Sequence, residues 1–338
     1  MAFDGLFTHA MVNELRSLES GRVSKIYQPY QSELVLTIRA NRKNVPLLIS
    51  SHPNYARVQV TNQALSNPAT PSNFVMSLRK HLEGAILKSV KQLDNDRIIN
   101  FYFSHRNDIG DEEDVILSVE IMGRRSNVIL YLGSSQKIID TIKHISADQN
   151  RYRMLVPGAQ YITPPAQELL NPFTDSNQQI WDNLLRDYPN YEVLAKQIQA
   201  TFQGFGKENA LELAYRLING QTPATVVHEF LDCFNASPKG FIYESQAKKL
   251  TYSAIQPTLT ADQPNLQAFN SLSEMLDQYY FEKVQRDRVQ QRGHQLIRVV
   301  RNELKKNRKK LKKLQNTMAQ TQYADSYRIK GEVLTTYL

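Results

Sequence analysis

One cysteine, Cys233, in 338 residues excludes an intramolecular disulfide and leaves no thiolate set for a structural zinc. The seven histidines, His9, His52, His81, His105, His144, His228 and His294, include no pair at i,i+4 spacing that could hold a metal from one helix face. No Walker loop, nucleophile elbow or dinucleotide glycine fingerprint occurs, so no enzyme, cofactor or metal site is expected. No run approaches the roughly 20 apolar residues that span a bilayer, and no membrane partner is expected. The opening segment MAFDGLFTHAMVNEL carries Asp4 and neither a basic leader nor a small-residue cleavage site. It does not read as a signal peptide, and a cytoplasmic location is expected.

Acids are missing from one stretch. Residues 284 to 316 hold 12 Lys and Arg against only Asp287 and Glu303, a net of +10, whereas the rest of the chain carries 29 basic and 31 acidic residues. Within that stretch Ile297, Val300, Leu304, Leu311, Leu314 and Met318 fall at heptad a and d positions, with Asn307 the one polar member, which predicts a coiled-coil helix. Its other faces carry Arg298, Arg301, Lys305, Lys306, Arg308, Lys309, Lys310, Lys312 and Lys313. A solvated helix normally mixes signs and pairs Glu with Lys at i,i+4. An unneutralised positive face suits a polyanion instead, with a phosphate backbone first and an anionic membrane surface second.

With 41% hydrophobic residues the chain has material for real cores, and its length suggests two or three domains. Asp4 is a good N-cap for a first helix whose stripe is Phe7, Met11, Leu15 and Leu18. Strand patterns follow at 22–27, 33–39, 45–50 and 56–61, then a helix from Pro71 to Leu82. A meander continues over 86–93, 97–103, 115–122, 128–132 and 137–142. About ten short strands with two helices predict an antiparallel sandwich closing near residue 165. Past Pro164 and Pro165 the pattern turns helical at 180–185, 191–202 and 210–219. There a helix ending in Gly204-Phe205-Gly206, followed at once by another helix, resembles a helix-hairpin-helix. Its backbone N–H groups, with Lys207, could hold a phosphate. Gly206 as a cap and Gly204 as a turn residue explain the same pattern. A small hairpin is expected over 240–256, and from Leu272 one long helix.

The segment VEIMGRRSN, Val119 to Asn127, concentrates charge at the tip of an apolar hairpin. Val115, Leu117, Val119 and Ile121 alternate with Ile116, Ser118, Glu120 and Met122, which places Glu120 on the face opposite the core. Gly123 can take a positive φ for the reversal, holding Arg124 and Arg125 outward. The bland alternative is a solvated turn. Asp96-Arg97 sits where another turn of the same meander enters a strand. Either it is a locally paired charged turn, or Arg97, anchored by Asp96, joins Arg124 and Glu120 on one surface.

These segments, together with FDGLFTHAM, KIYQPY, LTIRAN, HPNYARVQ and SEMLDQYYFEK, resemble the NFACT family over the whole chain. That family includes bacterial ribosome-associated quality-control factors of the RqcH type, often labelled fibronectin-binding protein A. The resemblance implies an α+β protein in three parts. Residues 1–168 would be similar to the N-terminal domain of formamidopyrimidine-DNA glycosylases, 169–265 a helix-hairpin-helix domain, and 266–338 the start of a basic coiled-coil arm. Ala2 and the missing cysteine set argue against glycosylase chemistry itself. The resemblance implies binding to large ribosomal subunits, their rRNA and proteins, that carry a stalled nascent chain as peptidyl-tRNA. It further implies recruitment of charged tRNA, tRNA-Ala in bacteria, for template-free tailing. It assigns tRNA contact to Asp4, Asp96, Arg97, Glu120, Ile121, Met122, Gly123 and Arg124, with Arg125 standing where His or Asn often precedes Ser-Asn. A surface adhesin that binds fibronectin is the rival reading.

Overall fold

Asp4 starts the first helix as its sequence requires: Oδ1 accepts from the Phe7 N–H at 2.8 Å. This helix, α1 (Gly5–Leu15), tightens into a 3-10 turn over Arg16–Leu18 and buries Phe7, Met11, Leu15 and Leu18. The computed structural model describes residues 3–106, 110–220, 222–235, 239–245, 247–259 and 265–337; Ala2 and Leu338 lie outside them.

Nine strands follow: β1 (Arg22–Tyr30), β2 (Glu33–Ala40), β3 (Lys43–Ser50), β4 (Arg57–Val60), β5 (Ile86–Gln92), β6 (Ile98–Arg106), β7 (Glu112–Glu120), β8 (Asn127–Leu132) and β9 (Ile138–Thr141). Helix α2 (Asn73–Leu82) comes between β4 and β5. Ser72 caps α2 by accepting from the Val75 N–H. The strands of the expected sandwich join in one hydrogen-bonded sheet rather than in two separate ones. They are hydrogen-bonded in one antiparallel order, β4-β3-β2-β1-β5-β6-β7-β8-β9. Two local meanders meet edge to edge at β1 and β5, where Arg22 opposes Ile86 and the Leu87 N–H donates to the Gly21 carbonyl at 2.9 Å. That seam joins residues separated by a helix and three strands, and period-2 alternation within each meander is silent about it.

Both faces of β7 are covered. Behind Val115, Leu117 and Val119 lies the core, while Ile116, on the other face, joins Ile129, Tyr131, Ile138, Leu155 and Tyr161 in a second apolar cluster. The segment after β9 supplies that layer.

The helical part contains α3 (Gln178–Asp187), α4 (Tyr191–Thr201), α5 (Lys207–Asn219) and α6 (Pro223–Asn235). Asn177 and Asn190 cap α3 and α4, and Trp181 stacks on Phe202 at 4.5 Å between centroids. Helix α6 was not expected from sequence, although Pro223 suits a first helical position and Val227, Phe230, Leu231 and Phe234 have helical spacing and are buried. The expected hairpin is β10 (Gly240–Glu244) with β11 (Leu250–Ser253), and β12 (Gln267–Phe269) adds a third strand on the other side of β10.

Helix α7 (Leu272–Thr321) is followed by α8 (Ala324–Thr336). Glu14 of α1 caps the start of α7, accepting from the Leu272 and Ser273 N–H groups at 2.7 and 3.1 Å. Asp277 accepts from Thr61 Oγ1 and the Asn62 N–H, both at 2.8 Å. The chain up to Tyr280 is one compact unit, and the chain from Phe281 onward is a second. In the second unit Ile297, Val300, Leu304, Leu311, Leu314 and Met318 are each 45 to 72% exposed, so the heptad seam has no cover among the described residues. No described helix is long and apolar enough to cross a membrane.

Candidate nucleic-acid interface

The β5–β6 turn and the β7–β8 tip lie side by side at one end of the sheet. Ile98 pairs with Glu120, and the Ile121 N–H donates to the Arg97 carbonyl at 2.8 Å, so Asp96-Arg97 and the EIMGRR segment are adjacent by backbone register. The turn bends because Asp94 adopts φ 48° and Asn95 is fully buried. Asp96 Oδ1 accepts from the Arg97 N–H at 2.7 Å and lies 3.9 Å from its Nε. Both side chains remain about one-third exposed, at 32%. Arg97 is thus held beside Asp96 with its side chain part-exposed.

At the tip, Gly123 takes φ 59°, the reversal for which a glycine suits, and Gly123–Arg125 form a 3-10 turn. Ser126 Oγ accepts from the Met122 N–H at 2.8 Å and closes it. Arg124 and Arg125 are exposed, Met122 is half-buried and Ile121 is buried. Lys143, from the segment after β9, reaches under the tip and donates to the carbonyls of Ser126 at 2.8 Å and Ser51 at 2.6 Å. Burial lowers its pKa below the usual lysine value.

Glu120 is not on a solvent face. It is fully buried in a bidentate pair with Arg153, whose Nη1 and Nη2 lie 2.7 and 2.5 Å from its two oxygens. The Tyr161 hydroxyl also donates to it at 3.1 Å, and burial pushes that phenol far up, keeping it protonated. The expectation that Glu120 joins an exposed surface is therefore corrected: the second apolar layer covers its face, and Glu120 anchors the tip from below. Arg153 and Tyr161 lie in a loop with no periodicity, and nothing in their spacing singles them out.

Asp4 is likewise enclosed. Its second oxygen, Oδ2, accepts from the Gly206 N–H at 2.7 Å and from Asn209 Nδ2 at 2.8 Å. Burial, against three N–H donors, raises its pKa to about 6. The N-terminus of α5, expected as a candidate phosphate cradle, thus already holds a carboxylate of this chain. Gly204 is equally committed: its carbonyl accepts from the Gly5 N–H at 2.9 Å, it takes φ 86°, and a Cβ there would lie 2.2 Å from Asn95 Nδ2. Lys207 is exposed, but the Gly206 N–H beside it is taken by the Asp4 carboxylate, whose charge opposes a second anion there. The expectation of a phosphate at the Gly206 N–H is corrected on that ground. Asp4, Gly5, Asn95 and Gly204 instead brace the turn that carries Asp96 and Arg97.

On α7, Arg301, Lys305, Arg308, Lys309 and Lys312 border one shallow groove with Leu304. Glu303 holds Lys306 at 2.7 Å, while no described carboxylate pairs with Lys305, Arg308, Lys309 or Lys312.

Residues 4–338 match the model for NFACT N-terminal and middle domains. The chain belongs to the NFACT family. It is 44% identical over its full length to the Rqc2 homolog RqcH of Streptococcus pneumoniae strain D39 and 41% identical to that of Bacillus subtilis. It spans 58 and 59% of those two proteins. A shorter match, 34% over 28% of the chain and 9% of the relative, is to ribosome quality control complex subunit 2 of Saccharomyces cerevisiae. Among solved structures, the N-terminal part of the fibronectin/fibrinogen-binding protein from Streptococcus suis superposes with a TM-score of 0.73 at 40% identity. The match covers 83% of this NFACT chain and 99% of that one. The fibrinogen binding protein from Staphylococcus aureus gives 0.70 at 32% identity over the same shares.

Proposed function

We propose that this chain is the tRNA-engaging part of a ribosome-associated quality control factor of the RqcH type. It acts in the cytoplasm, as a binding factor rather than an enzyme, on large ribosomal subunits that carry a stalled peptidyl-tRNA. It recruits charged tRNA, alanyl-tRNA in a bacterium, for template-free tailing of the stalled chain. The observation that carries this reading is the register of β6 against β7, which sets Arg97 beside Gly123–Arg125. Two sequence-distant guanidinium groups on one rigid, braced edge suit a phosphate backbone with fixed geometry. The basic face of α7 adds affinity for rRNA without sequence choice, and the relatives named for ribosome quality control support the same assignment.

Sequencing the RNA that co-purifies with the chain from cells tests it: tRNA and large-subunit rRNA are expected, and RNA of no particular class would reject it. The names of the solved relatives favour a second reading, a surface adhesin for fibronectin. Cell fractionation that finds the chain at the surface, with saturable binding to immobilised fibronectin, would establish that one instead.

A further inference from the structure

Lys143 makes a bridge that the tip alone does not explain. Its Nζ donates to the Ser126 carbonyl at 2.8 Å and to the Ser51 carbonyl at 2.6 Å. Those two oxygens are thereby held within the sum of the two bonds of one another. Ser126 follows Arg125, and Ser51 precedes His52, so the arginine tip and the loop after β3 are neighbours across one ammonium. His52 is half-exposed and stacks on Tyr55, with centroids 3.6 Å apart and planes 11° from parallel. Tyr55 is buried, and the Arg57 guanidinium sits 5.7 Å from its ring centroid and 4.5 Å from that of Tyr280. The His52 Nδ1 accepts from the Asn54 N–H at 3.3 Å, which fixes the ring in the plane of the stack. The result is a flat π-surface backed by Tyr55, on a loop whose backbone lies next to that of the tip carrying the exposed Arg124 and Arg125.

We propose that the His52–Tyr55 stack is a base-stacking platform, and that the RNA surface at the tip extends across Lys143 onto it. The partner that fits is an unpaired nucleotide of a folded RNA loop. Duplex RNA hides the faces of its bases, whereas loop bases offer them to aromatic side chains while arginines take the flanking phosphates. The proposal rests on the tRNA reading above and adds to it which part of the RNA is held, and by what.

The test compares the affinity of the chain for a folded tRNA transcript and for a blunt RNA duplex of similar length, across His52→Ala, His52→Phe and Arg124→Ala. Stacking predicts that His52→Ala weakens tRNA binding roughly 5- to 100-fold, leaves duplex affinity within about twofold, and that His52→Phe restores tRNA binding. Arg124→Ala should weaken both RNAs. Unchanged tRNA affinity in His52→Ala, or an equal loss for both RNAs, overturns the platform. If Arg124→Ala loses tRNA while His52→Ala does not, the platform alone fails; if neither variant changes tRNA binding, the tRNA reading of the tip fails with it. Should His52→Ala not fold, His52→Leu against His52→Phe decides: equal affinity overturns stacking, and weaker binding by the leucine variant supports it.

Discussion

Arg97 and Glu120 share one strand pair yet have opposite fates, and the difference is solvent. Arg97 keeps its side chain about one-third exposed beside Asp96, so truncation strands no fully buried charge. Arg97→Ala and Arg124→Ala should each cost about 1 to 3 kcal/mol of tRNA binding with unchanged thermal melting; normal tRNA affinity in both would reject their assignment. Glu120 and Arg153 are 0 and 8% exposed, so removing one strands the other in a medium that cannot solvate it. Arg153→Ala should therefore lower stability by about 3 to 5 kcal/mol in urea unfolding. A loss below 1 kcal/mol would mean that water or another group replaces the guanidinium. The alternation of β7 placed Glu120 correctly on the face opposite Val119. That this face is also interior depends on Leu155 and Tyr161, thirty or more residues later, which no local pattern connects to it.

The strands themselves were legible because each needs only a few alternating residues and a turn, and the observed β1 to β9 fall on the expected segments within a few positions. How they join was not, since the β1–β5 seam rests on backbone bonds flanking Arg22 and Ile86. The same limit applies where α1 meets α5. Asp4 reads as an N-cap for the helix that follows it, but its other oxygen caps a helix two hundred residues away, satisfying the Gly206 N–H at the positive end of α5. Because its pKa is raised from 3.8 to about 6, the folded state holds the proton more tightly than the unfolded chain. The sign follows: its contribution is most favourable below pH 4, declines as pH rises from 4 to 6, and is constant above, with a total change of at most about 3 kcal/mol. Subtracting the pH profile of Asp4→Asn from that of the parent isolates this trend; a difference that instead grows from pH 4 to 6 would reverse the assignment. Asp4→Asn should also be less stable at pH 7 by about 1 to 3 kcal/mol, since its amide nitrogen must face an N–H donor. Gly204→Ala should lower stability in urea unfolding more than Asp4→Asn does, because its φ of 86° and the 2.2 Å approach to Asn95 leave no room for a methyl group.

Taken as a whole the chain separates its charge: the 33 residues from 284 to 316 carry +10, and everything else sums to −2. On the proposed reading, such a division would keep non-specific phosphate affinity in α7 and leave a nearly neutral body in which Arg97 and Arg124 act by position. If α7 docks on ribosomal RNA through phosphates, affinity for purified large subunits should fall steeply with salt, and each phosphate contact removed should flatten the log–log slope by roughly 0.7 to 0.9. Changing Lys305, Lys306, Lys309 and Lys310 together to Gln should then reduce the slope by at most about 3.6, with helix content preserved because glutamine is a good helix former. The lysines should not contribute equally. Lys306 is already held by Glu303 at 2.7 Å, whereas Lys305 and Lys309 border the groove with no described carboxylate beside them. Lys305→Gln with Lys309→Gln should therefore flatten the slope more than Lys306→Gln with Lys310→Gln. Identical slopes for parent and quadruple variant would make the run a solvated face and remove α7 from the docking surface. Equal slopes for the two double variants would keep α7 as a phosphate binder but show that the Glu303 pair opens on binding, freeing Lys306 to act like its neighbours.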